Sequence, residues 1–414
     1  MKPLHVSNWP GLGPELLKST AAPRRQPRWL PEGRTLVFAC ARHGLYHGWR
    51  TLRLPPGSAV LVPAFVCDTV TEPLRLAGAR LVLYPVRPDL SPDLDHAAEV
   101  AARASRARGP AGVRAMLWYN YLGFPTGMAE ARRFCRERGL FLIEDCAHTL
   151  PGIGRGGPSR PVGSWGDVAV FSIRKVLPVT NAGALVVNNH ALLPLPEPLW
   201  NRPDNAYAQI LRDKETALRQ RELERGPGGC RLARAAALRH VEYVRRLNSP
   251  RESLREATRS HLHDADLPLR RMARPVAPDD LSLRVMQNAD LDEVARARRR
   301  NYRVYLRRIG ELALFPRLPG GVVPLGFSIR VPDRDAFRLR LAQRGVESTT
   351  HWPDWLLPAG ARRGFDAERR LADTLLTLPC HQGLSPEDIE FTCRAVEQSW
   401  RRVSAVKCDG SEST

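Results

Sequence analysis

The chain reads as an α/β protein: a three-layer αβα large domain on a mostly parallel sheet, followed by a smaller α+β C-terminal domain. Three observations predict it. From Thr35 to Asn188, short apolar strands alternate with helical stretches. Arg-rich helical sequence then breaks this rhythm, and a strand–helix–strand pattern returns after Asp280. Two of the strands end in polar residues able to carry chemistry, at Asp145 and Lys175.

In order, Thr35–Cys40 is expected as a strand, followed by a helix through Trp49. Ala59–Pro63 reads as a buried strand, Asp68–Ala77 as a helix and Arg80–Pro85 as a strand. His96–Arg108 is helical, Val113–Asn120 extended, Met128–Arg138 helical and Leu140–Glu144 extended. Asp167–Ser172 and Ala184–Asn188 complete a parallel sheet covered on both faces. Ala206–Leu223 and Arg231–Leu247 read as Arg-rich helices, and Leu291–Ile309 as a long basic helix. A strand–helix–strand unit follows over 326–350, with a last helix from Pro386 to Val403. The expected organisation is an irregular Pro-rich segment over 1–34, the large domain over 35–190, an Arg-rich insertion over 191–279, the small domain over 280–403 and a disordered tail over 404–414.

Composition narrows the function classes. The 414 residues suffice for two domains with an ample core, at 43% hydrophobic and 26% charged residues. No apolar run is long enough to span a membrane, and the first residues lack a signal-peptide core, which points to a cytoplasmic protein. Eight scattered cysteines without a CxxC pair argue against a disulfide framework and against a metal site. A net charge of +20 raises nucleic acid as a partner, but no nucleic-acid motif accompanies it. Such a surface also steers phosphorylated substrates.

Lys175 is the most informative residue. Only five of the 63 basic residues are lysine, yet one of them closes the strand ending Phe171-Ser172-Ile173-Arg174-Lys175. Thirty positions earlier another strand ends Glu144-Asp145-Cys146-Ala147-His148. Ligand sites of open α/β sheets gather at the carboxyl ends of strands. An amine for a Schiff base and a carboxylate for a pyridinium nitrogen are what pyridoxal 5'-phosphate requires. On local sequence alone, a strand-end lysine snorkelling to solvent reads equally well.

Longer stretches tip the balance. Cys40-Ala41-Arg42-His43-Gly44-Leu45 follows the first strand, and Pro56-Gly57-Ser58-Ala59-Val60-Leu61-Val62-Pro63 spans the second. Glu144-Asp145-Cys146-Ala147-His148 and Gly163-Ser164-Trp165-Gly166-Asp167 up to Phe171-Ser172 come next. Then come Arg344-Gly345-Val346 with His351-Trp352-Pro353, and Leu378-Pro379-Cys380-His381-Gln382-Gly383. In order and spacing these resemble the DegT/StrS-type sugar aminotransferases, of pyridoxal-phosphate fold type I. The resemblance runs from about residue 35 to about residue 400.

The resemblance implies a homodimeric aminotransferase moving an amino group from an amino acid, glutamate in the first instance, to a nucleotide-linked keto-sugar or similar carbonyl. It makes Lys175 the catalytic amine, Asp145 the ring-nitrogen partner, and His148 a neighbour of the cofactor's ring oxygen or of the substrate. Ser172 and the amides of Ala41 and Arg42 would hold the phosphate, and Cys67 takes the place of an aromatic residue over the ring. Arg42 replaces the usual Thr, and Asn181-Ala182-Gly183-Ala184 stands for the usual Gly-Glu-Gly-Gly. Two further readings stay open. One is an elimination or dehydration on the same cofactor; members that dehydrate sugars carry His at the lysine position, so Lys175 opposes it. The other is an inactive binding or regulatory protein on the same fold, opposed by the presence of both Lys175 and Asp145.

Overall fold

The computed structural model describes residues 6–8, 10, 16, 27–106, 112–151, 160–179, 182–195, 277–278, 280–352 and 364–409. The arginine-rich helices expected over 206–223 and 231–247 lie outside these residues.

A seven-stranded sheet forms the larger layer, in the order β1-β7-β6-β5-β4-β2-β3. Its strands are β1 (Thr35–Phe38), β2 (Ala59–Pro63), β3 (Arg80–Tyr84), β4 (Val113–Tyr119), β5 (Phe141–Asp145), β6 (Val168–Ser172) and β7 (Gly183–Val187). From β3 to β6 neighbours pair parallel, whereas β7 is antiparallel to β6 and β1 to β7. The sheet is thus mixed at one edge, because the chain between Ser172 and Gly183 is too short to carry a crossover helix. Strands β2, β6 and β7 are buried at every position, as a sheet covered on both faces demands.

Helices α1 (Ala41–Thr51), α2 (Asp68–Leu76), α3 (Leu94–Arg106) and α4 (Met128–Glu137) follow β1 to β4, with α4 leading into β5. α1 lies against β6 and β7 through two glycines: a Cβ on Gly44 would stand 2.9 Å from Val170 Cγ1, and one on Gly48 3.2 Å from Leu185 Cδ1.

The later chain adds α5 (Asp280–Asn288) and α6 (Leu291–Ile309), then a three-stranded antiparallel sheet in the order β8-β10-β9. Its strands are β8 (Gly326–Arg330), β9 (Thr349–Thr350) and β10 (Leu375–Pro379). α7 (Arg334–Gln343), α8 (Asp366–Thr374) and α9 (Pro386–Asp409) complete it. The central strand β10 is buried throughout and has no counterpart in the sequence expectations; neither do α5 and α8. α6 carries Tyr302 and Tyr305 inward, each donating its hydroxyl to a carbonyl 2.8 Å away, those of Phe315 and Pro379.

At Gly183 a Cβ would lie 2.4 Å from the backbone nitrogen of Ala41 and from the carbonyl carbon of Cys40. Backbone cannot yield as a flexible side chain can, so the first turn of α1 is seated on this glycine. Gly183→Ala is expected to destabilise the protein by about 1–3 kcal/mol in urea unfolding. Gly310→Ala, whose Cβ would meet only Leu306 Cδ2 at 3.9 Å, should shift the midpoint negligibly. Equal effects would show that α1 is not held there.

Candidate active site

β4, β5 and β6 lie side by side and end at the same edge of the sheet. Alternation along β5 sends Glu144 and Asp145 to opposite faces. Glu144, fully buried, accepts the backbone N–H groups of Gly163 (2.7 Å), Trp165 (2.9 Å) and Gly166 (3.0 Å), and Nδ2 of Asn120 (3.1 Å). These charge-assisted bonds fasten the loop that enters β6. Glu144 is scaffold, and Asp145 faces the chemistry.

Asp145 Oδ1 accepts the N–H of Ala147 at 2.9 Å, and Oδ2 has no donor among the described residues. Burial pushes the carboxyl up from its usual 3.8 to about 6, against the lowering effects of the Ala147 bond and of Lys175. Lys175 ends a single 3₁₀ turn, Ile173–Lys175, directly after β6. Its amine has neither a hydrogen bond nor an ion pair among the described residues. Burial lowers its pKa, while Cys67 and Asp145 partly restore it and Arg174 lowers it further. The side chain is half-buried by surface area, while the groups packed around it desolvate the amine. Lys175 and Asp145 thus feel each other's charge yet stand beyond ion-pair distance.

His148, in the turn after β5, is spoken for at both nitrogens. Nδ1 accepts the N–H of Leu122 at 3.0 Å, and Nε2 lies 3.0 Å from the Tyr119 hydroxyl. Burial, then Lys175 and His351, hold His148 well below its usual range. His351 meets the His148 ring at 5.5 Å; burial and then Lys175 take it down to about 3. Its Nε2 is buried without a hydrogen-bond partner among the described residues. Trp352, at φ 41°, packs against Phe65, Tyr119, Tyr121 and His148. Phe65 is itself fully buried beneath it.

A second corner lies beside Lys175. Ser172 is the register partner of Gly183, and Gly183 supports the amide of Ala41 at the start of α1. Arg42 is buried and stands 3.9 Å from Glu72 of α2. Burial raises the Cys40 thiol, but His43 at 3.6 Å, and then Arg42, outweigh it and leave it at about 6. Surroundings that stabilise a thiolate favour an anion at this turn. Cys67 heads α2 and reaches the fields of both Lys175 and Tyr119.

The lysine turn is clamped from behind. Arg298 of α6, 1% exposed, donates to the carbonyls of Val176 (3.2 Å), Pro324 (3.2 Å) and Leu325 (2.9 Å) and to Gln382 Oε1 (3.0 Å). Gln382 Nε2 donates to the same Val176 carbonyl at 3.0 Å.

Lys175, Asp145, His148 and Cys67 therefore share one electrostatic neighbourhood, and Ser172, Ala41 and Arg42 form the corner next to it. Tyr119 and Arg298 had no place in the sequence expectations, and Glu144, His351, Trp352 and Gln382 stood there only as parts of short signatures. The one available signal was the placement of these residues at strand ends or in those signatures. A depression of about 220 Å³ beside Arg132, Cys135 and Phe141 lies at the amino-terminal edge of the sheet, away from this chemistry.

Residues 32–195 match the profile of the DegT/DnrJ/EryC1/StrS aminotransferase family. A dTDP-4-dehydro-2,3,6-trideoxy-D-glucose 4-aminotransferase of Saccharopolyspora spinosa is 31% identical over 190 residues, 44% of this chain and 44% of that protein. A UDP-N-acetyl-3-dehydro-alpha-D-glucosamine 3-aminotransferase of Acidithiobacillus ferrooxidans is 31% identical over 146 residues, 35% of this chain and 37% of that protein. The chain thus spans less than half the length of these curated relatives. The crystal structure of the aminotransferase TlmJ from Streptoalloteichus hindustanus aligns over 96% of this chain and 93% of its own, with a TM-score of 0.62 at 24% identity. That likeness shows the fold.

The raised carboxyl carries a stability signature. Between about pH 4 and 6 the folded protein binds the extra proton at Asp145, so this group costs stability progressively as pH rises, and fully above 6. Asp145→Asn should therefore stabilise the cofactor-free protein at pH 8 by on the order of 3 kcal/mol, and by nothing near pH 3.5. Unfolding midpoints at the two pH values check this; an equal shift at both contradicts it.

Proposed function

We propose that this chain, whose residues 32–195 match the DegT/DnrJ/EryC1/StrS aminotransferase profile, is a pyridoxal-phosphate aminotransferase of that family acting on a nucleotide-linked keto-sugar or similar carbonyl acceptor. Glutamate is the proposed amino donor, and the working form a cytoplasmic homodimer. One observation carries the reading: a lysine with a lowered pKa and a buried carboxylate with one oxygen undonated, neither ion-paired to the other nor to another group among the described residues, stand at the carboxyl edge of a parallel run of strands.

The residues fit the cofactor. Among the described residues Asp145 Oδ2 has no donor, and a protonated ring nitrogen would supply one. The anion-favouring corner of Ala41, Arg42 and Ser172 suits a phosphate at a helix N-terminus. When bound, pyridoxal phosphate supplies an aldehyde for an amine and a ring that accepts the electron pair left by a departing proton. Lys175 Nζ is the amine that would hold that aldehyde, and its lowered pKa lets it also accept and return the donor's α-proton. Asp145 would hold a proton on the ring nitrogen, and Trp352 and Phe65 would help exclude water. The sugar substrates in the relatives' names, together with the net charge of +20, support an acceptor bearing a diphosphate.

Borohydride trapping tests this directly, since the chain offers only five lysines. Protein incubated with pyridoxal phosphate should turn yellow; reduced at that point it should carry the adduct on the peptide containing Lys175, and a separate unreduced sample should lose the colour to glutamate. Lys175→Ala should abolish the adduct and lower amino transfer by about three orders of magnitude or more. A colourless protein, or an adduct on another lysine, would sink the proposal.

A further inference from the structure

One donor next to Asp145 is unspent. Leu122 adopts a left-handed conformation, φ 59° and ψ 19°, and in doing so presents its N–H to His148 Nδ1 at 3.0 Å. That nitrogen therefore carries a lone pair. The buried imidazole is neutral, so its hydrogen sits on Nε2, 3.0 Å from Tyr119 Oη. The imidazole donates and the phenol oxygen accepts. The phenol's own hydrogen has no acceptor among the described residues, although Tyr119 is 1% exposed. Its neighbours differ: Tyr121 donates to the Phe65 carbonyl at 2.6 Å, and Tyr84 to that of Leu117 at 3.0 Å. Burial, then Asp145 and Cys67, raise the Tyr119 phenol well above its usual value, so it stays a donor across the working range.

Its position says what it would meet. Tyr119 closes β4 as the Cα partner of Asp145, which closes β5, and Lys175 follows β6. The anion corner lies on the β7 side of Lys175. On the pyridoxal ring, the nitrogen lies opposite the aldehyde, and the hydroxyl and phosphate arm flank the aldehyde on opposite sides. With the nitrogen at Asp145, the aldehyde at Lys175 and the phosphate toward β7, the hydroxyl oxygen falls on the β4 side. We infer that Tyr119, positioned by His148, donates the hydrogen bond to the ring oxygen of the bound cofactor, a contact for which His148 has no nitrogen left. This rests on the cofactor reading above and makes Tyr119 a cofactor-contacting residue of the site.

The test reads the chromophore. A donor on the ring oxygen disperses negative charge that otherwise helps hold a proton on the neighbouring nitrogen of Lys175. Removing it lets that nitrogen keep its proton to higher pH. In absorbance titrations of the holoenzyme, Tyr119→Phe should raise the midpoint by about one unit, a tenfold change in proton affinity. His148→Gln should move it the same way by less, since the phenol remains but loses its orientation. Cys67, Asp145 and Arg174 face Lys175, and His148 and His351 lie within its field; Tyr119→Phe replaces none of these groups and removes only the acceptor of His148 Nε2. Melting curves confirm that each variant is folded, and His148→Gln tests the same bond if Tyr119→Phe is not. An unchanged midpoint in folded Tyr119→Phe, or a larger shift in His148→Gln, would overturn the assignment. A wild-type protein without a visible band would instead overturn the cofactor reading, and this assignment with it.

Discussion

The carbonyl of Val176 is the point on which the site depends. It follows Lys175 directly and accepts from both the Arg298 guanidinium and the Gln382 amide. No carboxylate stands within ion-pair distance of Arg298 among the described residues, so its buried charge is balanced by three carbonyl dipoles and one amide oxygen. Burial lowers even this guanidinium, to about 10. Keeping a charge there is costly unless its geometry is saturated. What the arrangement secures is the register between the lysine turn and the elements carrying Arg298 and Gln382, from α6 and from the turn after β10. A lysine that must act at one atom cannot sit on a turn free to slide.

The same economy recurs on the other strand. Glu144 spends its charge on the loop that enters β6, and its neighbour Asp145 keeps one oxygen unspent. One dipeptide thus supplies both a fastening and a reactive group, because successive strand residues face opposite ways. The resemblance quoted both residues, but only the structure separates their tasks.

Local rules carried the large sheet a long way. The strands around β2, β4 and β6 and the helices between them follow from apolar runs, and their boundaries fall within one or two residues of those expected. Lys175 and Asp145 were visible for a related reason: a polar residue ending an apolar strand is conspicuous. The antiparallel turn of β7 was not, since strand direction depends on the length of the connection rather than on the strand's own composition. β10 was missed because its central place in the second sheet rests on β8 and β9 from distant sequence. Tyr119 and Arg298 were silent for another reason. A buried aromatic at a strand end and one arginine among 58 look ordinary until their partners are known.

The electrostatics of the site converge on one requirement. Burial drives Lys175, His148 and His351 toward their neutral forms, and it drives Asp145 the same way. For the amine, neutrality is useful, because only the free base attacks a carbonyl. For Asp145, neutrality is a loss unless a cation arrives against its open oxygen. Under the proposed reading, the ligand brings that cation on its ring nitrogen, while its phosphate goes to the corner at α1 where Arg42 and the helix amides favour an anion. Surroundings that disfavour every isolated charge therefore discriminate for a ligand that delivers opposite charges to two fixed places. A neutral carbonyl compound of the same size would satisfy neither.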